Sequence, residues 1–170
     1  MTGESVYVLD ANVLIQAKRL HYRFDVCPGF WEALIAYHNL GRVLSIDRVR
    51  RELVDSDDEL SVWIKSTAPG TFFNSTADGE SVDQYREVIR WAESRDHYRP
   101  AAKAEFASSA DSWLIAYAKV KSLVLVTHEE GAEFSKKRVK IPDVCRVFDV
   151  EIANTYEMLA SLGVAFSWHS

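Results

Sequence analysis

The sequence predicts an α/β domain built on a mainly parallel sheet, and two observations carry that expectation. The apolar runs Val6 to Leu9 and Leu123 to Val126 do not alternate with polar residues, so each reads as a strand buried on both faces, and Val43 to Ile46 reads as a further strand between them. Segments with helical spacing lie between them, and strands alternating with helices make parallel sheets.

The first strand runs directly into Asp10, at the carboxyl end where open parallel sheets place their ligands. Asn12 is expected to N-cap a helix over Val13 to Lys18. Leu20 to Pro28 reads as an irregular connection. Phe30, Trp31, Leu34, Ile35 and His38 then recur at helical spacing, with Gly41 just past the end as a stop. After the second strand, Asp47 is positioned to cap a helix whose Val49 and Leu53 face inward, with Glu52 on the flank of that face.

The run Asp55 to Glu59 reads as a solvated acidic turn leading into a helix over Leu60 to Lys65, its charge suited to a helix N-terminus. Ala68-Pro69-Gly70 breaks the chain and Thr71 to Phe73 is expected to be extended. Val82, Tyr85, Ile89 and Ala92 mark an amphipathic helix. A further short helix over Pro100 to Ala107 begins on its proline. Asp111 opens the segment Trp113 to Val120, apolar on nearly every side and therefore expected to be a central helix. Thr127-His128-Glu129-Glu130 follows the third strand, and Lys136 to Lys140 forms a basic patch. A last, weak strand is expected around Val147 to Ile152, then a helix through Tyr156, Leu159 and Leu162 stopped by Gly163. No repeat or linker divides the chain, so residues 1–170 are expected to form a single domain.

A hydrophobic fraction of 48% is ordinary for a folded domain. No apolar run is long enough to span a membrane, and residues 1–5 resemble no signal segment, so a cytoplasmic protein with free thiols at Cys27 and Cys145 is expected. The net charge of −5 argues against broad adhesion to nucleic acid, which needs many basic contacts. It leaves room for an enzyme whose metal-binding acids supply part of that charge.

Four acids share one kind of address. Asp10 and Glu129 follow buried strands, Asp111 begins a buried helix, and Glu52 lies on the helix after the second strand. In a parallel sheet all four can converge at the carboxyl edge, where they would repel one another unless a hard divalent cation such as Mg²⁺ or Mn²⁺ joined them. Such an ion can activate water and stabilise charge developing on a phosphodiester. The competing reading makes Asp10 and Asp111 helix caps and Glu52 and Glu129 surface acids. The sequence has no Gly-x-Gly-x-x-Gly, P-loop or Gly-x-Ser-x-Gly motif, and its histidines lack zinc-type spacing. His128 is the one histidine near the acids, and a structural role is favoured for it. An aspartyl-nucleophile phosphatase would need a second aspartate where Asn12 stands.

Tyr7-Val8-Leu9-Asp10-Ala11-Asn12-Val13-Leu14-Ile15 resembles the first acidic motif of the PIN-domain nucleases. Arg51-Glu52-Leu53 is similar to their second, Ala110 to Ala116 to their third, and Val126-Thr127-His128-Glu129 to their fourth. The resemblance covers essentially the whole chain. It implies a three-layer α/β/α fold and Mg²⁺- or Mn²⁺-dependent endoribonuclease activity. In small bacterial members it also implies the toxin of a toxin–antitoxin pair, with an antitoxin protein as partner and a possible homodimer. Carried over, Asp10, Glu52, Asp111 and Glu129 are the catalytic acids, with Asp10, Asp111 and Glu129 on the metal and Asn12 and Thr127 supporting them. Glu129 stands where an aspartate is usual, and Glu130 competes for its place. Residues 55–106 are longer than in the most compact toxins of that family.

Among basic residues, Arg48 and Arg51 beside the second motif are the expected phosphate contacts, with Lys18, Arg19, Arg23 and Lys136 to Lys140 ranked below them. Trp168, near the C-terminus, is the tryptophan expected to meet a partner. The rival expectation is a binding module that keeps the PIN-like fold and acts through a protein partner.

Overall fold

The computed structural model describes residues 3–170. Its centre is a five-stranded sheet in the order β3-β2-β1-β4-β5, in which every neighbouring pair is parallel. The strands are β1 (Tyr7–Leu9), β2 (Val43–Ile46), β3 (Phe73–Asn74), β4 (Val124–Val126) and β5 (Ile152–Ala153). Every residue of β1 and β4 is buried, as their unbroken apolar runs require. The order places β1 in the middle. The chain moves outward from β1 through β2 to β3, then crosses back to lay β4 against the other side of β1.

That reversal distributes the helices. Parallel crossovers are right-handed, so connections running in opposite directions lie on opposite faces. The first crossovers carry α1 (Ala11–Gln16), α2 (Pro28–Asn39), α3 (Asp47–Val54) and α4 (Glu59–Ser66). The return carries α5 (Gly79–Glu93), α6 (Pro100–Ser108) and α7 (Ala110–Lys121), and α8 (Ile141–Phe148) follows β4. Helix α7 packs against α5, α6 and α8, and its Leu114, Ile115 and Ala116 are fully buried. The closing helix α9 (Thr155–Leu162) joins the α2 face, where Tyr37 donates to the Leu162 carbonyl and the Tyr7 hydroxyl donates to Ser161. The result is the expected three-layer α/β/α arrangement. Among the described residues no helix is long and apolar enough to cross a membrane.

Several local expectations are corrected. Asp10, not Asn12, caps α1: its side chain accepts from the Asn12 N–H, and Asn12 is the second residue inside the helix. The helix also continues as one π-type turn over Ala17–His21, into the stretch expected to be irregular. Asp47 is the first residue of α3 and caps nothing; its carboxylate instead accepts from the Thr76 hydroxyl at 2.8 Å. Gly70–Phe72 is a 3-10 turn, with only Phe73 and Asn74 extended. Val147 lies in α8, and the last strand is just Ile152–Ala153.

Helix α9 starts with a reciprocal capping box, Asn154 accepting from Glu157 N–H while Glu157 accepts from Asn154 N–H, both at 2.9 Å. Asn154→Ala is expected to cost about 1 kcal/mol, read as a lower urea midpoint with an unchanged slope. Gly163 ends the same helix at φ +74, a left-handed conformation that favours glycine. Both cysteines are free thiols, and burial pushes the Cys145 thiol up to about 12.

Candidate active site

The reversal of chain direction lies between β1 and β4, and ligands of open α/β sheets bind in the crevice beyond the carboxyl ends of strands at such a switch point. Asp10 leaves β1 there and Thr127 leaves β4. The two are joined: the Thr127 hydroxyl donates to Asp10 Oδ2 at 3.0 Å, and both residues are buried. Thr127 Oγ1 also accepts from the Glu129 N–H at 3.1 Å. One hydroxyl therefore ties the ends of the two central strands together.

A cleft of about 250 Å³ opens at this edge. Asp10, Asn12, Glu52 and Asp111 supply its acidic and amide groups, Arg138 its positive charge, and α6 walls it with Ala102, Glu105 and Phe106. Glu52 reaches the cleft from α3, and its Oε1 accepts from the Ala110 N–H at 2.9 Å, beside Asp111 at the start of α7. The sequence-predicted acids Asp10, Glu52 and Asp111 are thus brought together by three different elements.

Their electrostatics follow from that convergence. Burial raises the Asp10 carboxyl to about 6, although hydrogen bonds from Thr127 and the Asn12 N–H oppose the shift; Glu129 and Glu52 push it further up. Burial also raises Asp111, to about 7, with added repulsion from Asp10, Glu129 and Glu52 and partial relief from Arg138. Close to neutral pH, these two acids hold charge only against a penalty.

Glu129 belongs to this charged group but does not line the cleft. Its Oε2 accepts from the Ile141 N–H at 2.8 Å, at the first turn of α8, and its Oε1 faces Arg138 Nη2 at 3.2 Å. Its side chain is only 7% exposed, whereas Glu130 is exposed. His128 turns to Thr155, with Nε2 and Oγ1 2.7 Å apart.

The expected phosphate contacts fall elsewhere. Arg48 and Arg51 do not line the cleft. Arg48 lies over the Trp113 ring, 4.1 Å from its centroid, and its Nε donates to Thr76 at 3.3 Å. Tyr85 stacks on the same indole at 3.9 Å, so the two groups must take opposite faces of it. Arg51 is exposed, with Asp47 3.9 Å away. Lys18 is paired with Asp58, and Trp168 is 85% exposed.

Two groups in the cleft were not singled out from the sequence. Glu105 had no signal at all, because its place depends on how α6 packs beside α7. Arg138 lay within the basic patch after the fourth motif, and only the fold separates it from its neighbours. Residues 55–106, whose role was open, furnish the α6 wall and the α5 support for α7.

A family model described as "Domain of unknown function (DUF4411)" matches residues 7–166. The chain belongs to the DUF4411 family. The match spans every strand and helix of the domain, including all the acids described above. No curated protein and no solved structure matches the chain.

The chemistry of the donors fits a hard divalent cation. The cleft offers carboxylate oxygens from Asp10, Glu52 and Asp111 and the amide of Asn12, with no sulfur or imidazole lining. Among the described residues no group of three or more His, Cys, Asp and Glu side chains forms a ready-made metal cage. Mg²⁺ rarely uses such cages; it keeps several waters and takes one or two carboxylates directly.

Proposed function

We propose that this protein is a Mg²⁺- or Mn²⁺-dependent endoribonuclease. The observation that carries the reading is the meeting of Asp10, Glu52 and Asp111 at the sheet's switch point, with Asp10 and Asp111 raised to about 6 and about 7. A cation would offset the cost of burying these charges as well as their mutual repulsion, and the order of the four acidic motifs resembles that of PIN-domain nucleases. Asp10 and Asp111 would hold the ion with Glu52 beside them, and the Thr127 hydroxyl fixes Asp10 by donating to its Oδ2.

A divalent ion in this site supplies positive charge to the scissile phosphate and makes water a better nucleophile at neutral pH. The chain's own groups set the geometry. Asp10, held by the Thr127 hydroxyl and the Asn12 N–H, presents a fixed carboxylate at the cleft floor. Asp111 and Glu52 flank it, and their shared negative charge favours removal of a proton from the attacking water. Water adds at phosphorus, one P–O ester bond breaks, and the departing oxygen takes up a proton. Ala102, Glu105 and Phe106 of α6 form one wall of the cleft.

The toxin role, with an antitoxin partner in the cytoplasm, is supported by the motif resemblance alone. It predicts growth arrest on expression, relieved by Asp10→Asn. A second reading, a PIN-like binding module, is favoured by one observation: Glu129 spends both oxygens on protein groups.

The test is incubation of a mixed RNA set with purified protein in Mn²⁺, Mg²⁺ or EDTA, beside the Asp10→Asn variant. Cleavage that needs the metal and the aspartate supports the nuclease. Intact RNA from folded wild-type protein in all three conditions would favour the binding module.

A further inference from the structure

We propose that Glu129 is a positioning residue that aims Arg138 into the cleft, and that Arg138 contacts the substrate phosphate. The inference rests on the nuclease reading for its reaction, but the geometry is independent of it. Glu129 occupies the place of the fourth acid yet is not among the residues lining the cleft, while Arg138, its ion-pair partner, lines it.

The arrangement is built from both ends. The Glu129 backbone is fixed by its N–H to Thr127 Oγ1, the same oxygen that donates to Asp10. From that point the side chain must satisfy the Ile141 N–H with one oxygen and face Arg138 with the other. The Ile141 N–H is one of the donors that the start of a helix leaves without an intrahelical acceptor, and a carboxylate is favoured there by the helix dipole. An aspartate is one methylene shorter and has less reach toward both groups from the same backbone position. Glutamate at this position is therefore matched to a bridging task.

Arg138 has the properties of a phosphate contact. Its side chain is 46% exposed, so substrate can reach it, and among the described residues Glu129 is its one ion-pair partner. Its charge acts on Asp111 across the cleft. A guanidinium offers five donors in a planar fork, so one edge can stay on Glu129 while another meets a non-bridging phosphate oxygen. Donors fixed in advance where charge develops on a phosphoryl group stabilise the transition state without reorganisation.

The experiment uses one labelled single-stranded RNA with wild type, Asp10→Asn, Arg138→Ala, Arg138→Lys, Glu129→Gln and the Glu129→Gln/Arg138→Ala double variant. Glutamine keeps an oxygen for the Ile141 N–H but removes the ion pair. Binding is measured in EDTA across a salt series, and cleavage and Mn²⁺-induced change in Tm are measured separately. Arg138→Ala should reduce the salt slope by about 0.7, one phosphate contact on a single strand. It should lower the cleavage rate on the order of 100-fold, with partial recovery in Arg138→Lys, which keeps the charge and distinguishes loss of contact from loss of fold.

Glu129→Gln should move in the same direction, the double variant should be no worse than Arg138→Ala, and the Mn²⁺ shift should survive in Glu129→Gln. Unchanged slope and cleavage in Arg138→Ala would overturn the proposal. Loss of the Mn²⁺ shift in Glu129→Gln would overturn it too, by making Glu129 a metal ligand. Wild-type cleavage no greater than that of Asp10→Asn would instead defeat the nuclease reading, and the salt slopes would still decide whether Arg138 binds phosphate.

Discussion

Asp10→Asn and Asp111→Asn are each expected to reduce RNA cleavage by at least about a thousand-fold while making the metal-free protein more stable. The loss follows because each carboxylate would hold the ion and orient the reacting water, contributions typically worth several kcal/mol in the transition state. The gain has a separate cause. Both carboxyls are raised, mainly by burial and then by their acidic neighbours, so at neutral pH each resists the charge it must carry. At about 1.4 kcal/mol per pKa unit, the relief in either variant is on the order of 2 kcal/mol, discounted because each shift includes repulsion from the remaining acids. Asparagine at position 10 can still accept from the Asn12 N–H as an N-cap, so α1 should survive. Urea unfolding in EDTA, beside single-turnover cleavage in Mn²⁺, checks both halves. A variant that loses activity and also loses several kcal/mol of stability would instead show these acids to be structural.

The second large effect is on pH dependence. Asp10 and Asp111 have folded-state values of about 6 and about 7 against an ordinary 3.8. Between those limits the folded protein binds more protons than the unfolded chain, so stability falls as pH rises. The metal-free protein should therefore be most stable near the acidic end of this window and lose a few kcal/mol, at about 1.4 kcal/mol per unit, between about pH 4 and pH 7.5. Other carboxylates work against this trend at its acid end: Asp58, held low by Lys18 and the Ser61 N–H, begins to lose its stabilising contacts as pH drops toward its own range. The comparison with Asp10→Asn/Asp111→Asn isolates the two acids. Their removal should flatten the fall above about pH 5; an equally steep fall in the double variant would place its origin elsewhere.

The parts of the site legible in the sequence are those set by local pattern. The unbroken apolar runs before Asp10 and Thr127 read as buried parallel strands, and strand ends in such sheets carry function, so Asp10 could be placed before any fold was known; Asp111 was legible as the start of a buried helix, and Thr127 through the motif resemblance. What escaped depends on distance in three dimensions. Asn12 and Asp10 are both good cap residues two positions apart, and only the extended backbone of Asp10 decides between them. Helix α8 was hidden because Ile141-Pro142 follows a basic patch and looks like a break, although proline is well suited to the first turn of a helix. Once α8 begins at Ile141, Glu129, expected among the catalytic, metal-holding acids, has a partner twelve residues onward and bridges it to Arg138. Arg48 shows the same limit: its sequence position suggests phosphate contact, while the fold lays it on Trp113 beside Thr76.

The nuclease proposal requires that the acids at the end of β1 and the start of α7 hold a divalent cation. Calorimetric titration of Mn²⁺ into the purified protein at pH 7.5, with Asp10→Asn and Asp111→Asn as controls, measures it without reference to any substrate. The expected result is saturable binding with release of a fraction of a proton, because Asp111, raised to about 7, is still partly protonated before the ion enters, and at least a ten-fold weaker affinity in each variant. Saturable binding that is unchanged in both variants, or no binding by the folded wild type at millimolar Mn²⁺, would contradict it.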